Sequence, residues 1–226
     1  MNTRTLHSLL EQNPVFGRLT AAEHEELIRT ARERTLDKGE VLCHQGERWP
    51  RVALLAAGGA QWTLVAPSGR RQVVFRLSPG AAVWGHTMFD DQPMPASLEI
   101  TAAAFLYWWP REIVLPLLWK HPDALWALNG EIVGWMRQVR EVIYSLAFQS
   151  VAHRVARLLV KYYPPHEGRP LPRYLTLDEM AAMVGTSREL VSRVLQRLAR
   201  EGVLQVRRRH FIFTDRRRLE QLAQGG

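Results

Sequence analysis

The chain has 226 residues, with 30 Lys and Arg against 22 Asp and Glu and a net charge of +8, which allows one large or two small domains, each with its own core. A single cysteine, Cys43, excludes an intrachain disulfide and a four-cysteine iron–sulfur cluster. No run of 18 apolar residues is present and the polar opening Met1–Glu11 is unlike a signal peptide, so the expected location is the cytoplasm, with no membrane partner.

In chain order, Leu6, Leu9 and Leu10 begin a helical region expected to run to about residue 35, broken at Asn13-Pro14. Thr20 and Glu23 form a capping box for its second helix. From Leu36 to Trp109 glycines recur, at Gly39, Gly46, Gly58, Gly59, Gly69, Gly80 and Gly85. They separate short apolar or alternating runs at 51–57, 61–65, 72–77, 98–102 and 104–109, which predict a β-barrel or jelly roll. Pro67-Ser68-Gly69-Arg70 reads as a hairpin turn.

A long helix is predicted from about Pro122 to Gln149. Within it Leu125, Leu128, Ile132, Trp135, Val139, Val142 and Leu146 are spaced alternately by three and four. That heptad favours a seam between two parallel helices, hence a homodimer, over a helix that only covers its own domain. A further helix follows at 153–163, then a turn-rich connector at 164–172.

Beyond the connector, Thr176 and Glu179 make a second capping box, Leu177, Met180, Ala181 and Val184 give a buried stripe, and Gly185 ends a short helix. Ser187 caps the next helix, expected over 187–201 and stopped by Gly202. Arg188, Glu189, Ser192 and Arg193 fall on one face, and Val191, Val194, Leu195 and Leu198 on the other. An arginine fork matches guanine O6 and N7, and a glutamate accepts from cytosine N4. Val203–Val206 and His210–Thr214 read as two strands joined by Arg207-Arg208-Arg209. Helix, turn, helix and cationic hairpin together predict a winged helix-turn-helix on double-stranded DNA. The expected DNA contacts are Thr186, Ser187, Arg188, Glu189, Ser192, Arg193, Gln196, Arg207 and Arg209.

Charge divides the chain in the same place. Residues 1–149 hold 15 basic and 15 acidic side chains, whereas residues 150–226 hold 15 and 7. All eight tryptophans lie in the first part, the last being Trp135. A neutral part joined to a basic one suggests a sensor attached to a nucleic-acid binder. Catalysis is not expected. A jelly-roll metalloenzyme needs clustered histidines and a carboxylate, and the β-region offers only His44 and His86, with no His-x-His pair.

A β-roll, a long helix and a winged helix in this order resemble the cAMP-receptor/fumarate-nitrate-regulator (Crp/Fnr) family of bacterial transcription factors. The similarity rests on Asp37-Lys38-Gly39-Glu40 with His44-Gln45-Gly46-Glu47, on Ser145-Leu146-Ala147-Phe148, and on Ser187-Arg188-Glu189-Leu190-Val191-Ser192-Arg193. It implies an α+β fold with a cyclic-nucleotide-binding-like β-roll over 1–121, a dimerisation helix over 122–149 and a winged helix-turn-helix over 150–226. It also implies a transcription regulator that engages RNA polymerase. Both family reading patterns are present. Arg188, Glu189 and Arg193 match the set for TGTGA-like half-sites, and Glu189, Ser192 and Arg193 match the set for TTGAT-like ones.

The resemblance places an effector pocket at Trp84, Gly85, His86, Val139 and Arg140, where this sequence departs from the cyclic-nucleotide pattern. His86 stands where the ribose-binding glutamate is expected, and Pro95-Ala96-Ser97 stands where Arg-Ser-Ala is expected. A cyclic phosphate lacking that arginine is poorly compensated, so cAMP is not the expected effector. His86 follows Gly80 by six residues, the spacing of the haem-ligating histidine in the family's carbon-monoxide sensors. It therefore reads either as a haem ligand or as an ordinary hydrogen-bonded histidine. A regulator active without any effector is the remaining alternative.

Overall fold

The computed structural model describes residues 3–225, with side chains from Thr5 onward. Two compact units make up the chain. The first comprises residues up to Leu64 and Val74–Val139; the second comprises Val65–Val73 and Arg140 onward. The division falls inside the long helix, so neither unit coincides with a segment read from the sequence.

The first unit opens with α1 (Thr3–Gln12), a 3-10 turn (Phe16–Arg18) and α2 (Ala21–Thr30). Thr20 and Glu23 form the predicted capping box at the start of α2. The helical expectation to residue 35 is corrected. Ala31 is extended, and Arg32–Leu36 is a strand, β1, paired antiparallel from Arg32↔Trp108 to Leu36↔Ala104. Four of its five residues are exposed, as an edge strand without a buried alternation allows.

β2 (Val41–Cys43), β3 (Arg51–Val65), β4 (Arg71–Leu77), β5 (Ala82–Trp84) and β6 (Ser97–Pro110) complete a six-stranded sheet with the path β1-β6-β3-β4. The runs expected as four short strands are two long ones, β3 and β6, paired from Arg51↔Pro110 to Thr63↔Ser97. Their register slips between Leu55 and Ala60, so Gly58-Gly59 marks a bulge within a strand instead of a break between two. Both faces of β3 are covered. Val52 and Leu54 join a core with α1, α2 and α4 (Arg111–Lys120), while Ala53 and Leu55 join the interior of the roll. A strand buried on both faces shows no polar alternation.

α3 (Thr87–Asp90) follows β5, and α5 (Pro122–Phe148) follows α4. Leu128 of α5 is 4% exposed, and Leu125, Ile132 and Trp135 pack partly buried against the same core. These four predicted seam residues cover their own unit. The exposed apolar side chains of α5 are Trp126, Val133, Met136, Ile143, Tyr144 and Phe148, together with Val139 and Leu146 of the predicted seam, whose Val142 is half-buried.

In the second unit, α6 (Val151–Tyr162), α7 (Leu177–Val184), α8 (Arg188–Arg200) and α9 (Arg216–Gln224) pack around Leu159, Met180, Val191, Leu195, Phe211 and Phe213. β7 (Pro170–Pro172), β8 (Leu204–Val206) and β9 (His210–Phe213) form an antiparallel sheet ordered β7-β9-β8. The connector thus supplies a third strand to the wing. α9 was not foreseen; Asp215 caps it by accepting from the Arg218 amide at 2.9 Å.

Candidate nucleic-acid interface

The ends of α7, its turn and the start of α8 are fixed by hydrogen bonds between residues close in the chain. Thr176 accepts from the Glu179 amide at 3.1 Å, and Glu179 accepts from the Thr176 amide at 2.7 Å. Gly185 adopts the left-handed conformation (φ 73°), and the amides of Gly185 and Thr186 both reach the Ala181 carbonyl. Ser187 then caps α8, accepting from the Leu190 amide at 3.3 Å. Val191, Leu195 and Leu198 are buried, which leaves Glu189, Arg193 and Gln196 exposed and Ser192 half-buried.

Glu189 is the anionic point of this face. Its own amide and the Ser187 hydroxyl hold its carboxyl below the usual carboxylate range, aided by Arg188 and Arg193. It therefore stays an acceptor through the neutral range. Arg188 is exposed in the first turn of α8, and its Nη1 is 3.5 Å from Asp178 Oδ2 on α7. In the wing, Arg207 donates to Gln205 Oε1 at 3.2 Å, and Arg209 is exposed. Sequence reasoning missed Arg173, Asp178 and Arg208. They line, with Arg188 and Thr176, an open cleft of about 430 Å³.

The predicted effector residues are not one kind of surface. Trp84 is 1% exposed, stacked on Phe16 at 5.3 Å, and its indole N–H donates to Glu131 Oε2 at 2.8 Å. It is a core side chain of the first unit. Gly85 is required by close packing, since a Cβ there would lie 2.1 Å from the Trp49 carbonyl oxygen. His86 is exposed, with its ring centroid 6.1 Å from Trp62 and 6.4 Å from Trp135. Desolvation by these neighbours lowers its pKa, against a smaller pull from Asp90, and favours the neutral imidazole. Val139 is 37% exposed, and Arg140 lies 3.5 Å from Glu141. Ala96 and Ser97 are buried, Arg76 donates to Gln61, and Arg111 is bonded to Asp91 and Glu112. Among the described residues no three His, Cys, Asp or Glu side chains converge on a metal site, and no helix is long and apolar enough to cross a membrane.

Two family matches divide the chain: a cyclic nucleotide-binding domain over residues 33–121 and a Crp-like helix-turn-helix domain over residues 153–222. A protein named cyclic AMP receptor protein, from Thermus thermophilus, is 28% identical over 200 residues, covering 87% of this chain and 90% of that one. The fold is similar to that of a protein described as a crp/fnr-family regulator from Eubacterium rectale, with TM-score 0.79 and 19% identity over 94% of this chain and 98% of the other. It is also similar to the regulator CLP of Xanthomonas campestris, described as responsive to c-di-GMP, with TM-score 0.74 and 19% identity over 86% and 99%.

Proposed function

Because the chain belongs to the Crp/Fnr family of DNA-binding transcription regulators, we propose that it acts as a homodimer that reads a two-fold symmetric site through a pair of α8 helices. The observation that carries this is α8 itself: capped by Ser187, buried along Val191, Leu195 and Leu198, and exposed along Glu189, Arg193 and Gln196. Such a helix presents hydrogen-bonding groups to a major groove. Arg207 and Arg209 add sequence-independent attraction to the backbone. RNA polymerase is the expected partner at a promoter, and the cytoplasm the expected place.

The dimer seam follows the exposed apolar face of α5. Trp126, Val133, Met136 and Ile143 are spaced by seven, three and seven residues, which is a heptad stripe. Pairing along it sets two α8 helices about one DNA turn, ~34 Å, apart. Selection of bound duplexes from a random pool tests this reading. Enrichment of a palindrome with half-sites ~10 base pairs apart supports it, and enrichment of no sequence, or of a single half-site, refutes it.

The regulator acts without cAMP. His86 replaces the ribose-binding carboxylate, and Ala96-Ser97 carry no cation for a phosphate, while Arg76 and Arg111 have partners of their own. Calorimetric titration with cAMP should give no saturable heat, and the protein without added nucleotide should bind its selected site. Micromolar binding of cAMP overturns this. A second reading rests on His86, whose neutral imidazole beside two indoles supplies one nitrogen donor of the kind that ligates haem iron. Added haem should then give a sharp Soret band that His86→Ala weakens, and a free-haem spectrum removes the idea.

A further inference from the structure

We propose that Arg154 is a positioning residue that sets the half-site spacing the dimer accepts, by clamping the end of α5 to the end of α7. The inference rests on the dimeric DNA-binding reading above and deepens it. Arg154 lies half-buried in the first turn of α6, and all three of its acceptors are main-chain carbonyls. Its Nε donates to Val184 at 2.8 Å, and its Nη1 donates to Gln149 at 2.6 Å and to Ser145 at 3.3 Å. Val184 is the last residue of α7, Ser145 lies in the last turn of α5, and Gln149 follows directly on it.

The chemistry of helix ends explains the arrangement. The last carbonyls of an α-helix have no partner within it and form the negative end of its dipole. A guanidinium is drawn there by charge and by hydrogen bonding together, and its planar fork points donors in several fixed directions. One side chain therefore closes two helix ends at once. Burial lowers the Arg154 pKa, as befits a cation taken partly out of water and solvated by carbonyls instead. Two further contacts brace the joint. Gln149 Oε1 accepts from Ser145 Oγ at 2.8 Å and from Arg157 Nη1 at 3.0 Å. Leu146 abuts the turn after α7, since a Cβ on Gly185 would lie 2.5 Å from its Cδ2.

The joint stands between the seam and the reading helix. The exposed stripe that the seam follows runs along α5 to Ile143, two residues before Ser145. α7 leads into α8 through Gly185, Thr186 and Ser187 alone. Fixing the end of α5 against α7 therefore fixes each α8 relative to the two-fold axis. Adding one base pair between half-sites moves the distant groove by about 3.4 Å and turns it by about 34°. A stiff joint rejects such a site, and a loose one follows it. The groups that α8 offers to base edges are untouched by Arg154, so spacing and half-site sequence are governed by different residues.

The test uses the full chain and the palindrome it selects, with the centre left intact, shortened or lengthened by one base pair. Affinities are compared for the unmodified protein, Arg154→Ala, Arg154→Lys and Val155→Ala, with thermal melting and sedimentation to establish a folded dimer. The unmodified protein should favour the selected spacing by on the order of 10-fold. Arg154→Ala should lower that preference by about threefold or more and keep the preference for the selected half-site over a scrambled one. Arg154→Lys keeps the charge but cannot span both helix ends, so it should follow the alanine variant, and it carries the comparison if the alanine variant does not fold. Val155→Ala thins the buried core beside Arg154 without touching these carbonyls, so it should lower the melting point and keep the spacing preference. The proposal is overturned if the unmodified protein binds all three spacings equally, if the Arg154 variants keep its preference, or if Val155→Ala loses as much of it. Selection of no palindrome refutes the dimeric reading and this inference with it, whereas a palindrome whose spacing preference survives in the Arg154 variants refutes the inference alone.

Discussion

Gly185→Ala tests how the reading head is held. Gly185 ends α7 at φ 73° and ψ 48°, a conformation that costs an L-residue about 1–2 kcal/mol. An added Cβ would lie 2.1 Å from Gln72 Oε1 and 2.5 Å from Leu146 Cδ2. Both contacts are the ends of flexible side chains, so each yields by an off-rotamer shift of about 0.5–1.5 kcal/mol. The backbone and the two contacts together predict a loss of about 2–5 kcal/mol in the second unit. For a domain of this size, 1 kcal/mol moves the melting temperature by roughly 4–8 °C, so the midpoint should fall by more than ~8 °C.

Far-UV circular dichroism follows the transition, while tryptophan fluorescence reports the first unit, which holds all eight tryptophans. Two further variants divide the cost. Gly185→Asn adds the same Cβ but tolerates positive φ better, so it should cost less than alanine. Gln72→Ala removes the nearest contact and also a buried amide oxygen without a partner, so in the Gly185→Ala background it should restore about 0.5–1.5 kcal/mol. A loss below ~0.5 kcal/mol for Gly185→Ala, or equal losses for Ala and Asn with no rescue by Gln72→Ala, would refute the reasoning.

Two more outcomes are expected. Burial raises the Glu131 carboxyl above its usual pKa, against the pull of the Trp84 indole N–H, so its folded value exceeds its unfolded one. Its contribution to stability is then full at low pH and is lost as pH rises through the raised value; Glu131→Gln keeps an acceptor and should remove that loss, seen as a urea midpoint that exceeds the parent's only toward neutral pH. Met136→Asp or Ile143→Asp places a charge on the exposed stripe of α5 and should give folded monomers in sedimentation, whereas Leu128→Asp, in the core, should fail to fold; a stable Met136→Asp dimer contradicts the proposed seam.

Local chemistry made the second unit legible. Capping boxes, a glycine C-cap and an apolar stripe act within a few residues, so Thr176, Glu179, Gly185 and Ser187 announced α7 and α8 at their observed ends. β3 and β6 were harder, because both faces of each strand are buried and a bulge looks like a turn when only composition is seen. The first half of the heptad on α5 carries a related lesson. Leu125, Leu128, Ile132 and Trp135 obey a heptad, but their partners are α-helices and strands of the same unit. A periodicity states that a face is covered and is silent about what covers it.

Arg188 shows the same limit at the scale of one side chain. Next to Glu189 and Arg193 in the sequence, it invites the reading of a guanine fork. Its surroundings are set by residues far from it in the chain: Asp178 one helix earlier, Arg208 in the wing and Arg173 in the connector. Which arginine specifies and which one anchors is read from binding itself: a lost preference between duplexes marks the first role, and a uniform loss with a flatter salt slope the second. The salt slope and the specificity ratio separate the two roles because only one of them releases counterions without regard to sequence.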